Sequence, residues 1–465
     1  MREWLWAGAA LLALSACATT GQAKRGGDAP AAPAVVSKGV ATDVAFASTY
    51  RPVEGAPTVI TNVTIYDGKG GRIERGAIRF ENGRVVALGE RVSADGATSI
   101  DGQGKWVTPG IIDVHSHLGN YASPGVQAHS DGNEVTGPVR SEVWALHGVW
   151  PQDPGFSRAL AGGVTTLHIL PGSANLFGGR GVTLRNVPGV TALDMVFPGA
   201  PMSLKMACGE NPKRVYGSRN QMPGSRMGNV AMMRQTWANA EKYRADRAKP
   251  GPTFRRDLQM ETLADVLEGR ILVQNHCYRA DEMAMVVAMA KEFGYRVSAF
   301  HHAVEAYKIA DLLAAEGICG AMWADWWGFK MESYDGIKEN LPFVHAAGGC
   351  AVTHSDDAHG IQRLNQETAK ALADGRRLGL QIRDEEAWTW VAINAAKALG
   401  IDRETGSLEP GKRADLVLWN GDPLSVYARP ERVWIDGGLV YDTADARRRP
   451  VSDFEVGQVG MGDRK

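Results

Sequence analysis

Apolar and polar positions first fall into a regular pattern at Val59-Ile60-Thr61-Asn62-Val63-Thr64-Ile65-Tyr66, closed by Asp67-Gly68. Gly76-Ala77-Ile78-Arg79-Phe80, Glu81-Asn82-Gly83 and Arg84-Val85-Val86-Ala87-Leu88 continue it. Short β-branched and aromatic runs punctuated by Asp-Gly and Asn-Gly read as strands joined by tight turns. The far end repeats the pattern in Ala414-Asp415-Leu416-Val417-Leu418-Trp419 and Val433-Trp434-Ile435-Asp436-Gly437-Gly438. The likeness of the two ends predicts one small β-sandwich built from residues 51–108 and 403–450.

Between them, over 109–402, apolar runs alternate with amphipathic stretches, the mark of repeated βα units and a parallel sheet. The strand candidates are Gly110–Val114, Val164–Leu170, Thr191–Phe197, Met202–Ala207, Ile271–Asn275, Arg296–Phe300, Ile318–Trp323 and Cys350–Thr353. Helices are expected over Asp281–Phe293, Leu364–Ala373 and Glu385–Leu399, the last with Gly400 as its C-cap. This set predicts an α/β fold, a (β/α)8 barrel, whose active sites lie at the C-terminal ends of the strands. The stretch from Gly209 to Gly269 is long for one crossover and reads as a loop with one or two helices overhanging the site. Gly178-Gly179-Arg180-Gly181 lacks the Gly-Lys-Ser/Thr end of a phosphate loop and reads as a loop.

Composition changes this picture little. The chain has 465 residues, 44% hydrophobic and 22% charged, with a formal net charge of −1. Such a balance gives no basic field for nucleic acid. The first residues stand apart. Trp4 to Leu14 is an apolar run too short to span a bilayer, and Leu14-Ser15-Ala16-Cys17 follows it directly. That pattern resembles a bacterial lipobox, so residues 1–17 are expected to be a lipoprotein signal peptide. Acylation of Cys17 would be the sole membrane attachment, and Ala18 points to the periplasmic face of the outer membrane. Residues 18–50, rich in Ala, Gly, Thr and Pro, read as a flexible linker and 451–465 as a tail. Cys208, Cys277, Cys319 and Cys350 show no paired spacing; their even number permits disulfides in an oxidising compartment, and small buried thiols are the favoured reading.

The chemistry concentrates at apparent strand ends. Pro109-Gly110-Ile111-Ile112-Asp113-Val114-His115-Ser116-His117 places two histidines at i and i+2, on one side of a strand. Imidazole nitrogens there suit a divalent transition metal. His276 follows Ile271–Asn275, His301 and His302 follow Val297-Ser298-Ala299-Phe300, and Asp356 and Asp357 follow Val352-Thr353-His354-Ser355. Strand alternation alone leaves His301 and His302 equal candidates. Lys205 lies inside the apolar run Met202–Ala207, where an unpaired ammonium is costly. Trp323, Trp326 and Trp327 form either an aromatic pocket wall or a cover for the barrel rim.

On these residues the chain resembles the amidohydrolase superfamily, in particular its exported branch related to imidazolonepropionases and metal-dependent prolidases. The resemblance spans residues 58–443. It rests on Pro109–His117, His276–Glu282, His302 with Glu305-Ala306-Tyr307-Lys308, Ser355-Asp356-Asp357 and the closing Gly406-Ser407-Leu408-Glu409-Pro410-Gly411-Lys412-Arg413-Ala414-Asp415-Leu416-Val417. It implies metal ligation by His115, His117, His276, His302 and Asp356, with one or two divalent ions, zinc first and manganese or iron as alternatives. It selects His302 over His301, gives Asp356 the role of general base, leaves Asp357 to cap or support, and has His276 or His302 assist catalysis. Lys205 is implied as a carboxylated bridging ligand, or else as a lysine paired with Glu210 or reaching the rim. The expected enzyme is an amidohydrolase acting on a non-peptide or small-peptide C–N bond of a small molecule. In such an enzyme a divalent ion brings the pKa of coordinated water to roughly 7 and Asp356 takes its proton. The competing expectations are a deaminase of a heterocyclic substrate and an inactive envelope lipoprotein that keeps the scaffold for binding.

Overall fold

The computed structural model describes residues 46–449. The signal peptide with Cys17, all but the last residues of the 18–50 linker and the 451–465 tail lie outside the described residues. No described helix is long and apolar enough to cross a membrane.

The chain enters through β1 (Thr58–Tyr66), β2 (Arg72–Glu81), β3 (Arg84–Gly89), β4 (Thr98–Asp101) and β5 (Trp106–Pro109). It continues through β6 (Ile111–Ser116), β7 (Val164–Ile169), β8 (Phe177–Arg185), β9 (Ser203–Ala207), β10 (Leu272–Cys277), β11 (Val297–His302), β12 (Cys319–Met322) and β13 (Cys350–Thr353). It leaves through β14 (Leu416–Trp419), β15 (Pro430–Ile435) and β16 (Gly438–Asp442).

The two chain ends share one sheet, in the order β16-β15-β14-β5-β1-β2-β3 with β4 on β1. Asn82-Gly83 and Asp436-Gly437 turn the hairpins, and all four residues take the positive φ that such two-residue turns require. The join between the ends is β5 against β14, antiparallel, with Pro109 opposite Leu416 and Trp106 opposite Trp419. A sandwich of two stacked sheets was expected. Instead a single sheet curls until Val85 and Gly83 hydrogen-bond the Gly411–Ala414 stretch, enclosing Ile60, Val63, Phe80, Val107, Leu416 and Trp434.

Strands β6 to β13 form the second sheet, neighbours in chain order. It nearly closes into a barrel, because the Asp356 amide donates to the His115 carbonyl at 3.0 Å. One strand departs from expectation. Thr191–Phe197 is not a strand; it carries a short 3-10 turn over Ala192–Asp194. The third barrel strand is β8, which holds the Gly178-Gly179-Arg180-Gly181 run read as a loop, and it lies antiparallel to β7 and β9. The glycines are needed there. A Cβ at Gly179 would stand 2.4 Å from the Val143 carbonyl oxygen, and one at Gly181 2.6 Å from Ser203 Oγ. Arg180 faces away from the site, bonding Thr262 Oγ1 at 2.8 Å and stacking over Trp144.

Helices cover the barrel. Ala280–Phe293, capped by Gly294 in the left-handed region, and Leu364–Arg377 match expectation closely. The helix expected over Glu385–Leu399 is broken into Asp384–Ala387, a 3-10 turn at Trp388–Val391 and Ile393–Ala398. The run Trp388-Thr389-Trp390-Val391 has low helix propensity, and both tryptophans are buried in packing that overrides the regular helix. The Gly209–Gly269 stretch holds three helices, Glu210–Gly217, Arg226–Ala248 and Leu258–Leu267. The longest packs on the barrel wall, with Trp237 against Phe177 and Tyr295, rather than overhanging the site. The four cysteines are not free thiols: Cys208 is bonded to Cys277 and Cys319 to Cys350.

Candidate metal centre

Asp113 and His115 face inward from β6, and His117, the residue after the strand, continues the same alternation. Asp113 is buried. Its carboxylate accepts from the Ser355 hydroxyl at 2.5 Å, the Ser355 amide at 3.1 Å and the His115 amide at 3.2 Å. These bonds tie the end of β6 to the segment after β13, and so bring Asp356 to the two histidines. Asp356 Oδ1 lies 3.2 Å from His115 Nε2 and 3.1 Å from His117 Nε2. The two Nε2 atoms are 3.3 Å apart.

Three ligand-type atoms therefore form a triangle with edges of 3.1–3.3 Å. Bonds of about 2.1 Å to a central ion would give edges of about 3.4 Å in a tetrahedron and about 3.0 Å in an octahedron. Protonation makes the same point. His117 Nδ1 faces the Leu170 carbonyl at 2.7 Å. A carbonyl only accepts, so Nδ1 carries a proton and Nε2 is the nitrogen turned toward the carboxylate. Burial, reinforced by the charge of Lys205 and by the neighbouring imidazoles, holds His115 and His302 far below the ordinary histidine value, hence neutral. Burial acts to raise the Asp356 carboxyl, but the hydrogen bond and charge of His117, with His354 and Lys205, leave it below the ordinary value. Imidazoles and a carboxylate converging at these distances are a donor set that suits a divalent cation.

The other expected ligands surround this triangle. His302 Nδ1 lies 3.8 Å from Asp356 Oδ2, and His115, His302 and Asp356 form one group whose ligand atoms lie within 4.8 Å of one another. His276 stands beside His302, ring centroids 4.6 Å apart, with both nitrogens buried and without a hydrogen-bond partner. Such an orphaned buried side chain calls for an explanation, and a metal ligand is one. Lys205 is fully buried with Nζ 3.3 Å from His115 Nε2; it neither reaches the rim nor pairs with Glu210, whose carboxylate faces Lys330. Burial pushes its ammonium down to about 7, against the opposing charge of Asp356. Asp357 caps the 3-10 turn at Gly360–Arg363, accepting from the His359 amide at 2.9 Å and from the Gly360 amide.

Alternation left His301 and His302 open, and the backbone accommodates both. His302 and Ala303 have φ of +68° and +37°, which breaks the strand so that two successive imidazoles face inward. His301 lies deeper, its Nδ1 3.0 Å from His115 Nδ1 and its Nε2 2.7 Å from Gln274 Oε1. Asp356 too is left-handed, at +53°. Non-glycine residues held there are strained, and such strain collects at functional sites.

His354, to which the sequence reading gave no role, is buried with Nε2 3.2 Å from His302 Nδ1, and it forms a second possible ligand group with His115 and His301. Its position two residues before Asp356 was the available signal. Asp113 was equally legible, two residues before His115 on the same strand face.

A curled sheet from both chain ends, a nearly closed eight-strand barrel and imidazoles with a carboxylate at one rim define a barrel enzyme of the kind that can hold a divalent ion. The amidohydrolase family profile matches residues 342–442, the stretch containing Asp356 and β14 to β16. The crystal structure of an amidohydrolase from Thermotoga maritima superposes with a TM-score of 0.76 and 34% identity, over 83% of this chain and 100% of that one. Amidohydrolase tasK of Hapsidospora irregularis is 30% identical over 88% of this chain, which spans only 46% of that protein's length. An imidazolonepropionase of Mesorhizobium japonicum is 23% identical over 77% of this chain and 90% of its own. The chain belongs to the amidohydrolase family, hydrolases acting on carbon–nitrogen bonds.

Proposed function

We propose that the protein hydrolyses an amide-type C–N bond of a small molecule at the centre formed by His115, His117 and Asp356, with His276, His302 and Lys205 completing its ligand set. The observation that supports this is the triangle of ligand-type atoms, 3.1–3.3 Å on its edges, drawn from the ends of two strands far apart in sequence. A divalent ion held there, zinc first, would supply Lewis acidity toward a carbonyl and toward water near neutral pH. The chain's own residues do the rest. Asp356 Oδ2, the carboxylate oxygen not shared between His115 and His117, accepts the proton from the attacking water and returns it to the leaving nitrogen. His302, kept neutral by burial, orients the scissile carbonyl. Asp113 and Ser355 hold His115 and Asp356 in register.

The test is metal analysis and turnover on full chain purified without chelator, then reloaded with zinc, manganese or iron. The expectation is at least one tightly held ion and amide hydrolysis abolished by Asp356→Asn. Less than a tenth of an equivalent of metal, with no activity restored, refutes the reading in favour of a binding scaffold. Ammonia as the leaving group would instead identify a deaminase.

The mature protein is proposed to be exported and anchored through acylated Cys17 at the periplasmic face of the outer membrane. Two disulfides support an oxidising compartment. Labelled palmitate incorporated by the parent and lost in Cys17→Ser tests it; no incorporation by the parent refutes it.

A further inference from the structure

The mouth of the metal centre carries a feature that C–N hydrolysis alone does not require. A cavity of about 420 Å³ opens onto Asp356, walled by Tyr278, Trp323, Trp326, Trp327 and Phe329. The rings are ordered. Tyr278 stacks on His302 (centroids 5.1 Å apart, planes 23° apart), His302 on Trp323 (4.4 Å, 27°) and Trp323 on Trp326 (5.2 Å, 19°). Phe329 stands edge-on to Trp323 and to Tyr278, at 5.8 and 6.4 Å. Trp323 is anchored by its indole N–H, which donates to the Ser355 carbonyl at 2.9 Å. The same residue fixes the strand end that carries Asp356.

The outer rings are open to solvent: Trp326 is 40% exposed, Trp327 51% and Phe329 57%. Exposed large apolar side chains scattered singly mean little, but a contiguous group on a cavity wall marks a binding surface. Two things indicate what binds. The stacked rings are nearly parallel and run from the candidate ligand His302 outward, so a flat ring extends the stack with offset-stacked geometry. The charged groups on the cavity wall are carboxylates, Asp356 and Asp325, the latter paired with Lys370, which disfavours an anionic group.

Resting on the hydrolase reading, we infer that this cavity is a subsite for a neutral planar aromatic or heteroaromatic group of the substrate, and that Trp326 and Phe329 determine that specificity. The group seats against the tryptophan stack while the scissile bond lies over Asp356. Trp326 and Phe329 touch the substrate's ring and not the reacting atoms, so they act on selectivity.

The test separates aromaticity from mere hydrophobicity. Metal-loaded full-length protein is assayed on two matched pairs: N-phenylacetylglycine against N-cyclohexylacetylglycine, and N-acetylbenzylamine against N-acetyl(cyclohexylmethyl)amine. The expected result is at least a tenfold preference in kcat/KM for the aromatic member of one pair, falling toward parity in Trp326→Ala and Phe329→Ala. Equal rates, or a preference for the saturated ring, overturn the subsite while leaving the hydrolase reading intact. If neither pair turns over, calorimetric titration with benzamide and cyclohexanecarboxamide decides. Benzamide binding at least fivefold tighter, with the difference lost in Trp326→Ala, supports the subsite independently of catalysis. No difference between the two ligands overturns it.

Discussion

Replacing Arg185 by methionine should separate the barrel from the sheet that joins the chain ends. Arg185 ends β8 and its side chain is fully buried. Its guanidinium forks onto Asp415, with Nη1 2.8 Å from Oδ2 and Nη2 against Oδ1, while Nη1 also reaches Thr166 Oγ1 at 3.0 Å and Nη2 lies 3.3 Å from Asp436. Asp415 immediately precedes β14, and Asp436 sits in the β15–β16 turn with Arg413 on its other oxygen at 2.9 Å. Two cations and two carboxylates balance. Methionine fills most of the volume but leaves one buried negative charge without a partner, at a cost of about 3–5 kcal/mol. For a chain of this size that is a fall in Tm of about 3–6 °C.

The sign of the pH dependence follows from the carboxylate. Burial acts to raise Asp415, and Arg185, with Thr405 and the Asp436 amide, reverses this and holds it below the ordinary value. A depressed carboxyl contributes stability above its unfolded pKa of about 4, lost only as pH falls through the lower folded value. In Arg185→Met burial prevails and the folded pKa rises. The penalty then begins near pH 4 and grows with pH until the folded group also ionises. Thermal unfolding by circular dichroism at pH 5 and pH 8, at one ionic strength, should show the smaller gap between parent and variant at pH 5. Arg185→Met with Asp415→Asn removes the stranded charge and should recover more than half of the loss. A single variant within about 1 kcal/mol of the parent, or a double variant no better than the single, would falsify this account of the clasp.

Asp356→Asn should lower kcat by about 10²–10⁴ with little change of Tm in the metal-free protein, because an asparagine Oδ1 can still accept from His117; paired kinetics and melting check it. Lys205→Met should raise the Tm of metal-free protein, since a buried amine is replaced by an apolar chain of like length, while metal stoichiometry and activity fall; an unchanged metal count shows that Lys205 is not a ligand. Replacing both members of Cys208–Cys277 or of Cys319–Cys350 by serine should cost up to about 4 kcal/mol, as loops of 69 and 31 residues imply in the chain-entropy account; urea unfolding measures it.

Much of this architecture was legible because local rules and tertiary demands coincide. Asn82-Gly83 and Asp436-Gly437 announce hairpins, and apolar runs ending in His117, His276 and Asp356 announce strand ends. Where the reading failed, the deciding contact lay far off in sequence. β8 looked like a loop because glycines have no side chain with which to show periodicity, and Val143 and Ser203, which require them, press in from other segments. The disulfide partners were invisible because Cys319 and Cys350 become neighbours only through the pairing of β12 with β13. Alternation left His301 and His302 equal, and positive φ at His302 lets both imidazoles face inward.

The features that disfavour folding crowd into one place. Left-handed φ at His302, Ala303 and Asp356, the orphaned nitrogens of His276, the buried amine of Lys205 and an Asp113 carboxyl that burial lifts to about 7 despite its bonds to Ser355 and His115 all lie at the same end of the barrel. Covalent and ionic ties hold the barrel beneath it. Cys208–Cys277 links the strands bearing Lys205 and His276 at this end, while Cys319–Cys350 staples β12 to β13 and Arg185 fixes β8 to the second sheet at the opposite end. A rim this unfavourable in isolation is tolerable if a cation satisfies it, and binding at a thousandfold above Kd would add about 4 kcal/mol. On that argument the local cost at the rim and the affinity of the site are two readings of one quantity. Substitutions that relax the rim without touching a ligand should then stabilise the metal-free protein and weaken its hold on the ion together.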